Sequence, residues 1–246
     1  MRIRLLTYNI HKAIGVDRRF DPDRIVAILR HHDADIALLQ EVDRHAPRSS
    51  MLDLASYLAR ALDYRHHAAG MNVHLKRGRY GNATLSRFPI GRQRNIDLTL
   101  GARIRRGAQH TRIHIPANGH TLDLDVFNIH LSLTARMRRR QARVLLDSSD
   151  VRNLPPQRPC VIAGDTNDWT GELRRRFFEP AGFVCVTNVR PRMRWAIRSF
   201  PSYAPAGGLD KVFCRGPIER IHAARSRLAL ARVASDHLPV IVDLEL

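Results

Sequence analysis

Cys160-Val161-Ile162-Ala163-Gly164-Asp165-Thr166-Asn167-Asp168 is an apolar run that ends on a glycine, two acids and an amide. Four apolar residues bounded by a glycine read as a buried strand. Asp165 and Asn167 therefore stand where a strand gives way to a loop. The same design recurs along the chain. Asn9 closes Leu5-Leu6-Thr7-Tyr8, and Glu41 follows Ile36-Ala37-Leu38-Leu39-Gln40. His130 follows Leu124-Asp125-Val126-Phe127-Asn128-Ile129, and Asp236-His237 lie in Ser235-Asp236-His237-Leu238-Pro239. Loops at such strand ends can gather these polar groups around one cleft.

Strands dominate the rest of the pattern. Arg2 to Asn9 alternates with period two. Further strands are expected over residues 82–86, 90–98, 109–115, 121–130, 209–214, 218–224 and 240–244. Ile25, Ile28 and Leu29 recur at helical spacing, with Asp21 as N-cap and Pro22 at the first helical position. Residues 52–62, 136–151 and a stretch near 172–178 also read as helices. Helices falling between groups of strands predict an α/β (α+β) sandwich, two mixed sheets face to face with helices outside. A single domain over residues 1–246 is expected, a length that can bury a large core.

Composition narrows the partners. Net charge is +18 and only three of the 41 basic residues are lysine, Lys12, Lys76 and Lys211. Such a charge attracts polyanions: nucleic acid, anionic phospholipid surfaces or phosphorylated small molecules. No apolar run reaches membrane-spanning length, and Met1-Arg2-Ile3-Arg4 has no signal-peptide pattern. A cytoplasmic monomer is expected. Cys160, Cys185 and Cys214, an odd count without close spacing, are expected as buried free thiols.

The strand-end groups suit phosphate-ester hydrolysis, which needs charge neutralisation on phosphoryl oxygens and an activated water. A hard divalent cation takes oxygen ligands and keeps several waters, so one or two carboxylates suffice. Glu41 is the natural ligand. A histidine held by a carboxylate can take a proton near neutral pH; His237 fits, with Asp210 in Gly208-Leu209-Asp210-Lys211 to orient its ring. Asp165 and Asn167, two apart on an extended segment, would point the same way.

Taken together, Thr7-Tyr8-Asn9-Ile10-His11-Lys12, Leu39-Gln40-Glu41-Val42, Gly81-Asn82-Ala83-Thr84, Asn128-Ile129-His130-Leu131, Gly164-Asp165-Thr166-Asn167-Asp168, Leu209-Asp210-Lys211-Val212 and Ser235-Asp236-His237-Leu238-Pro239 resemble the ordered motif set of the endonuclease/exonuclease/phosphatase superfamily. That superfamily includes DNase I, repair nucleases, inositol polyphosphate phosphatases and sphingomyelinases. The Tyr-Asn-Ile-His-Lys and Gly-Asn-Ala pieces look closest to a small bacterial branch, some of whose members are encoded beside cardiolipin synthases. The resemblance implies a DNase I-like four-layer αββα sandwich and a magnesium-dependent (or manganese-dependent) phosphoesterase. It implies Glu41 as principal metal ligand, with Asn9 near the metal or phosphate and Asp236 supporting the metal site. His130, Asp165, Asn167, Asp210 and His237 would be catalytic; base and phosphate stabiliser stay open between Asp165 and His237. His11, Lys12 and Asn82 are candidate phosphate contacts. One departure stands out: no acid occupies Tyr80-Gly81-Asn82, where DNase I-like nucleases buttress the first catalytic histidine.

The expected activity is phosphodiester hydrolysis of nuclease type. A phospholipid or headgroup phosphodiesterase is the alternative, and an inactive polyanion-binding module is the reading from another class. A calcineurin-like dimetal site is disfavoured, because its early Asp-x-His and its Gly-Asn-His are missing. The arginines at 136, 138, 139, 140 and 143 read as a solvated helix face or a docking patch, with Arg103, Arg105 and Arg106 similar. Trp169 could stack on a base or pack. Trp195, among Arg190, Arg192, Arg194 and Arg198, is expected in a basic loop at the cleft rim.

Overall fold

The structure, a computed structural model, describes residues 1–101, 105–117, 119–188 and 197–246. Strands among them are β1 (Arg2–Asn9), β2 (Ile36–Arg44), β3 (His66–His74), β4 (Arg79–Ser86), β5 (Ile90–Asp97) and β6 (Gly107–Ala117). They continue with β7 (His120–His130), β8 (Cys160–Asp165), β9 (Val184–Cys185), β10 (Asp210–Arg215), β11 (Glu219–Arg225) and β12 (Val240–Glu245). Helices are α1 (Pro22–His32), α2 (Leu54–Ala61), α3 (Ala135–Asp147), α4 (Ser149–Arg152) and α5 (Ala231–Ala234).

The strands form two six-stranded sheets, ordered β11-β12-β1-β2-β4-β3 and β5-β6-β7-β8-β10-β9. Each is mixed, with β1 parallel to β2 and β7 parallel to β8. Side-chain alternation sorts each strand between two cores. Leu5, Leu38, Val126, Val161, Val212 and Val242 meet between the sheets. Leu6, Tyr8 and Leu39 face outward onto Ile25, Ile28, Leu54 and Leu58 of α1 and α2. Phe127, Ile162 and Phe213 face the other way, onto Leu145 of α3 and Phe178. The result is the α-β-β-α order of a DNase I-like sandwich.

Helix starts follow their caps. Asp21 Oδ1 accepts the Arg24 N–H at 3.2 Å with Pro22 at the first position, and Asp53 Oδ1 accepts the Ser56 N–H at 3.2 Å. The cap at Asp53 explains why α2 starts at Leu54 rather than 52. The helix expected over 136–151 is broken, because Ser148 is extended (ψ 146°) between α3 and α4. The turn expected near 172–178 is π-helical over Arg174–Phe178. β3, which has no strong alternation, was not among the expected strands; it pairs antiparallel to β4. All three cysteines are buried and free. No described helix is long and apolar enough to cross a membrane.

Candidate active site

The inner-face alternation that builds the inter-sheet core also builds the site. Counting on by twos from Leu5, Leu38, Val126 and Val161 reaches Asn9, Gln40, His130 and Asp165, and Asp210 precedes Val212 by two. At one end of the sandwich the apolar face thus becomes polar. Strand register then sets the groups side by side. His130 pairs with Asp165 across β7 and β8, and Asp165 with Asp210 across β8 and β10. Asn9 joins from the opposite sheet, its Nδ2 donating to Asp165 Oδ2 at 3.1 Å.

Asp165 Oδ2 is the meeting point. It lies 3.6 Å from His130 Nε2 and 3.6 Å from His237 Nε2. His237 Nδ1 is 2.8 Å from Asp210 Oδ2, which also accepts from Ser199 Oγ at 2.5 Å. Ser235 fixes the approach of His237: its Oγ donates to Asn9 O at 2.7 Å and accepts the His237 N–H at 3.2 Å. Gly164 brings β8 against β7. Its φ is +141°, and a Cβ there would stand 1.9 Å from Ile129 O.

Glu41 breaks the alternation. By parity it belongs with Leu39 on the helix-facing side, but the β2–β4 register slips between Leu39 and Val42 and Glu41 takes φ 58°. Such a bulge re-aims a side chain. The Glu41 carboxylate comes within 2.5 Å of Lys12 Nζ, and the Tyr80 hydroxyl also lies against it.

The family model for endonuclease/exonuclease/phosphatase proteins matches residues 6–237. The chain belongs to this family. The uncharacterized protein YbhP of Escherichia coli K12 is 31% identical over 251 residues, covering 99% of this chain and 96% of YbhP. An endonuclease/exonuclease/phosphatase structure from Beutenbergia cavernae superposes with a TM-score of 0.81 at 26% identity, covering 100% of this chain and 72% of that one. D. rerio TDP2 complexed with single strand DNA product superposes with a TM-score of 0.73 at 18% identity, covering 100% and 99%; that likeness is one of fold. As a member of this family the protein is a hydrolase of phosphate esters.

In this family member the two histidines flanking Asp165 carry different charge. Burial would lower His237, but Asp210 and then Asp165 overcome it and hold the imidazole up at about 10. His130 goes the other way: burial lowers it, Asp165 pulls it up, and Arg106 pushes it down, with the net shift downward. At neutral pH an imidazolium thus stands on one side of Asp165 and a neutral imidazole on the other. Burial alone would raise Glu41; the charges of His130 and Lys12, the Lys12 hydrogen bond and His11 bring it down to about 2.

Two places can be tested for a cation. Asp165, Asp210 and His237 each offer one atom within 4.8 Å of the others. Asp165 Oδ1 takes the Asn167 N–H at 2.9 Å and Asp210 Oδ2 takes His237 and Ser199, which leaves Asp210 Oδ1 as the buried oxygen without a partner in this cluster. Glu41 fits better. Its Oε2 is buried and already has a cation, the Lys12 ammonium, standing against it. A hard oxygen ligand already holding a cation is the donor chemistry of a magnesium-type site.

Several expectations need correction. Asn167 is not extended but left-handed, with φ 51°. Its N–H closes a turn onto Asp165 Oδ1, and its Nδ2 donates to Leu131 O at 3.0 Å, so it braces the Asp165 loop. Asn82 is buried, with Nδ2 donating to Asn128 O at 3.0 Å. His11 Nδ1 is 2.8 Å from Ile14 O. Asp236 contacts Ser235 Oγ at 3.4 Å and contributes charge at His237, while Glu41 meets Lys12 instead. Within the arginine run, Arg138 is 7% exposed and donates to the carbonyls of Leu133 and Ser132, so that face is not wholly solvated. Arg103, Arg190, Arg192, Arg194 and Trp195 lie outside the described residues.

A polar seam that lies outside the expected site residues runs behind the site. Gln40 Nε2 donates to Asn128 Oδ1 at 2.8 Å, and Asn128 Nδ2 donates to Leu39 O and Ala83 O at 3.0 and 2.9 Å. These bonds stitch the two sheets beneath Asn9, His130 and Asp165. The available signal was an amide inside each apolar strand, since a buried amide needs partners. Lys211, buried, donates to Thr166 Oγ1 at 3.1 Å and Asp168 O at 2.6 Å and anchors the same loop from below. Ser199 lies far from any motif and carried no such signal.

Proposed function

We propose that this protein is a divalent-metal-dependent phosphodiesterase acting on nucleic acid, with Asp165 as general base. The observation that carries the reading is the geometry around Asp165 Oδ2, which lies 3.6 Å from His237 Nε2 while Asp210 Oδ2 stands 2.8 Å from His237 Nδ1. His237 is held protonated between Asp210 and Asp165, so it cannot accept the proton of an attacking water. That role falls to the Asp165 carboxylate, while the imidazolium neutralises phosphoryl oxygens. The water's proton passes to Asp165, a P–O bond forms to the water oxygen, and the bond to the leaving oxygen breaks. The leaving oxygen then takes a proton from solvent. His130, neutral, donates a hydrogen bond to the phosphate. Asn9 holds Asp165, Asn167 holds its loop, and Asp210 holds the His237 ring. Glu41 would hold magnesium or manganese, which supplies Lewis-acid charge neutralisation; Asp236 adds negative charge nearby.

The rim of the cleft favours a nucleic-acid substrate. The Phe200 ring lies 4.9 Å from that of His237, and Trp169 packs edge-on against Phe200 at 5.8 Å while staying 43% exposed. An exposed indole on an aromatic wall beside the scissile phosphate suits stacking by a base. The net charge of +18 favours the same polyanion.

A phospholipid or headgroup substrate is the second reading. It is favoured by Leu133, 76% exposed three residues after His130, and Tyr203, 68% exposed three residues after Phe200.

The test is hydrolysis of bis-p-nitrophenyl phosphate, single-stranded DNA and RNA oligonucleotides, and cardiolipin or phosphatidylglycerol vesicles, with magnesium, manganese or chelator. Metal-dependent turnover of oligonucleotides that Glu41→Gln abolishes is expected. Turnover of vesicles alone would move the assignment to the second reading. No turnover of any substrate, with retained oligonucleotide binding, would leave an inactive polyanion-binding module and remove the catalytic roles.

A further inference from the structure

Lys12 is held where chance would not put it. His11, Lys12 and Ala13 are consecutive non-glycine residues in the left-handed region, at φ 45°, 62° and 58°. Each such residue is disfavoured relative to ordinary helix. The turn persists because its backbone is tied down. The His11 N–H donates to Asn9 Oδ1 at 3.1 Å, the Ala13 N–H to Ile10 O at 2.8 Å and the Ile14 N–H to His11 O at 3.0 Å. What the turn achieves is the placement of one ammonium on Glu41 Oε2, itself on a left-handed residue at a bulge. Two strained segments therefore converge on one ion pair.

The choice of lysine matters. Only three of 41 basic residues are lysine in this chain. An arginine at residue 12 would clamp Glu41 with a planar fork, whereas an ammonium is a compact charge on a flexible stem that can leave. It must leave if a metal arrives. A unit charge and a divalent ion crowded onto one carboxylate repel each other at short range. Glu41 Oε2, the oxygen that carries the ammonium, is then contested by the two cations.

We propose that Lys12 is an exchangeable counter-cation: its ammonium neutralises Glu41 while the metal is away and turns to the phosphoryl oxygens of the substrate once the metal takes the carboxylate. The inference rests on the metal-site reading of Glu41. It makes metal and phosphate binding cooperative through this chain's own residue, since metal releases the donor that phosphate needs.

The scarcity of lysine makes the exchange observable. Reductive methylation with 13C-formaldehyde labels lysine amines while keeping their charge; Lys211 is buried, Lys76 is exposed in the β3–β4 turn, and Lys12→Arg assigns the remaining lysine signal. The Lys12 signal is expected to shift on magnesium saturation and again on adding inorganic phosphate, while Lys76 stays still. By calorimetry, Lys12→Met should bind magnesium about threefold to tenfold more tightly, because a competing cation is gone. In saturating magnesium it should bind inorganic phosphate about tenfold more weakly, the worth of one charge-assisted hydrogen bond. Magnesium binding by the wild type with an unmoved Lys12 signal, or unchanged phosphate affinity in Lys12→Met, would overturn the exchange and leave the metal site standing. No magnesium binding by the wild type, with Glu41→Gln indistinguishable from it, would overturn both.

Discussion

Asp210→Asn isolates the electrostatic premise of the mechanism. The asparagine is nearly isosteric, and its Oδ1 can still accept from His237 Nδ1 and Ser199 Oγ, so the ring keeps its orientation and loses only the facing charge. In the wild type His237 rises from 6.5 to about 10 against the opposing effect of burial, with Asp210 the largest raising influence. A tenfold change in proton affinity is about 1.4 kcal/mol, so the neighbours favour the imidazolium by about 5 kcal/mol net. With Asp210 neutral, Asp165 at 3.6 Å and, more weakly, Asp236 are left to oppose burial. His237 should then titrate about two or more pH units lower. The assay is kcat/KM for bis-p-nitrophenyl phosphate between pH 5 and 10.5, with His237 followed by NMR. Wild-type activity should hold until pH approaches 10, whereas the variant should lose its alkaline activity well before pH 9. Stability follows the same sign. A folded value above the unfolded one stabilises fully below about pH 6.5 and is lost as pH rises through about 10, so the gap in unfolding free energy between wild type and variant should narrow from pH 7 to pH 10. Superimposable pH profiles would refute the argument that His237 works as an imidazolium.

Gly164→Ala places a Cβ 1.9 Å from Ile129 O at a φ of +141° and should cost about 2–4 kcal/mol by separating β7 from β8; urea unfolding measures it, and a loss under 1 kcal/mol would show that the strands can part without harm. Trp169→Ala should raise KM for a single-stranded oligonucleotide about tenfold, the worth of one stacked base, and leave bis-p-nitrophenyl phosphate turnover within twofold; equal loss on both substrates would mean a packing role. Oligonucleotide affinity should fall steeply between 50 and 200 mM salt, while Km for bis-p-nitrophenyl phosphate changes little; parallel salt curves would argue against a polyanion grip.

Much of the fold was legible because alternation is a local property. β1, β2, β7 and β8 were read from their apolar runs, and α1 from Asp21 and Pro22. β3 was not, since His66 to His74 lacks a regular pattern and is ordered by pairing with β4. The break at Ser148 and the π turn at Arg174–Phe178 were invisible for the same reason: periodicity does not report which hydrogen bond the backbone closes.

For the site, sequence alone determined the cast: polar groups at the ends of apolar strands, in an order that resembles one family, with the chain's charge pointing to an anionic partner. The folded chain decided what each member does. Asn82 and Asn167 look like ligands in sequence; in space their amides reach the carbonyls of Asn128 and Leu131. Lys12 reads as a phosphate contact and lies on Glu41, because a left-handed turn and a bulge aim the two at each other. The charges of His130 and His237 differ although both are buried histidines beside Asp165, because a second carboxylate, Asp210, faces only one of them. Identity and order are written along the chain; protonation and pairing depend on distances between segments far apart in it, and those exist only once the two sheets have closed.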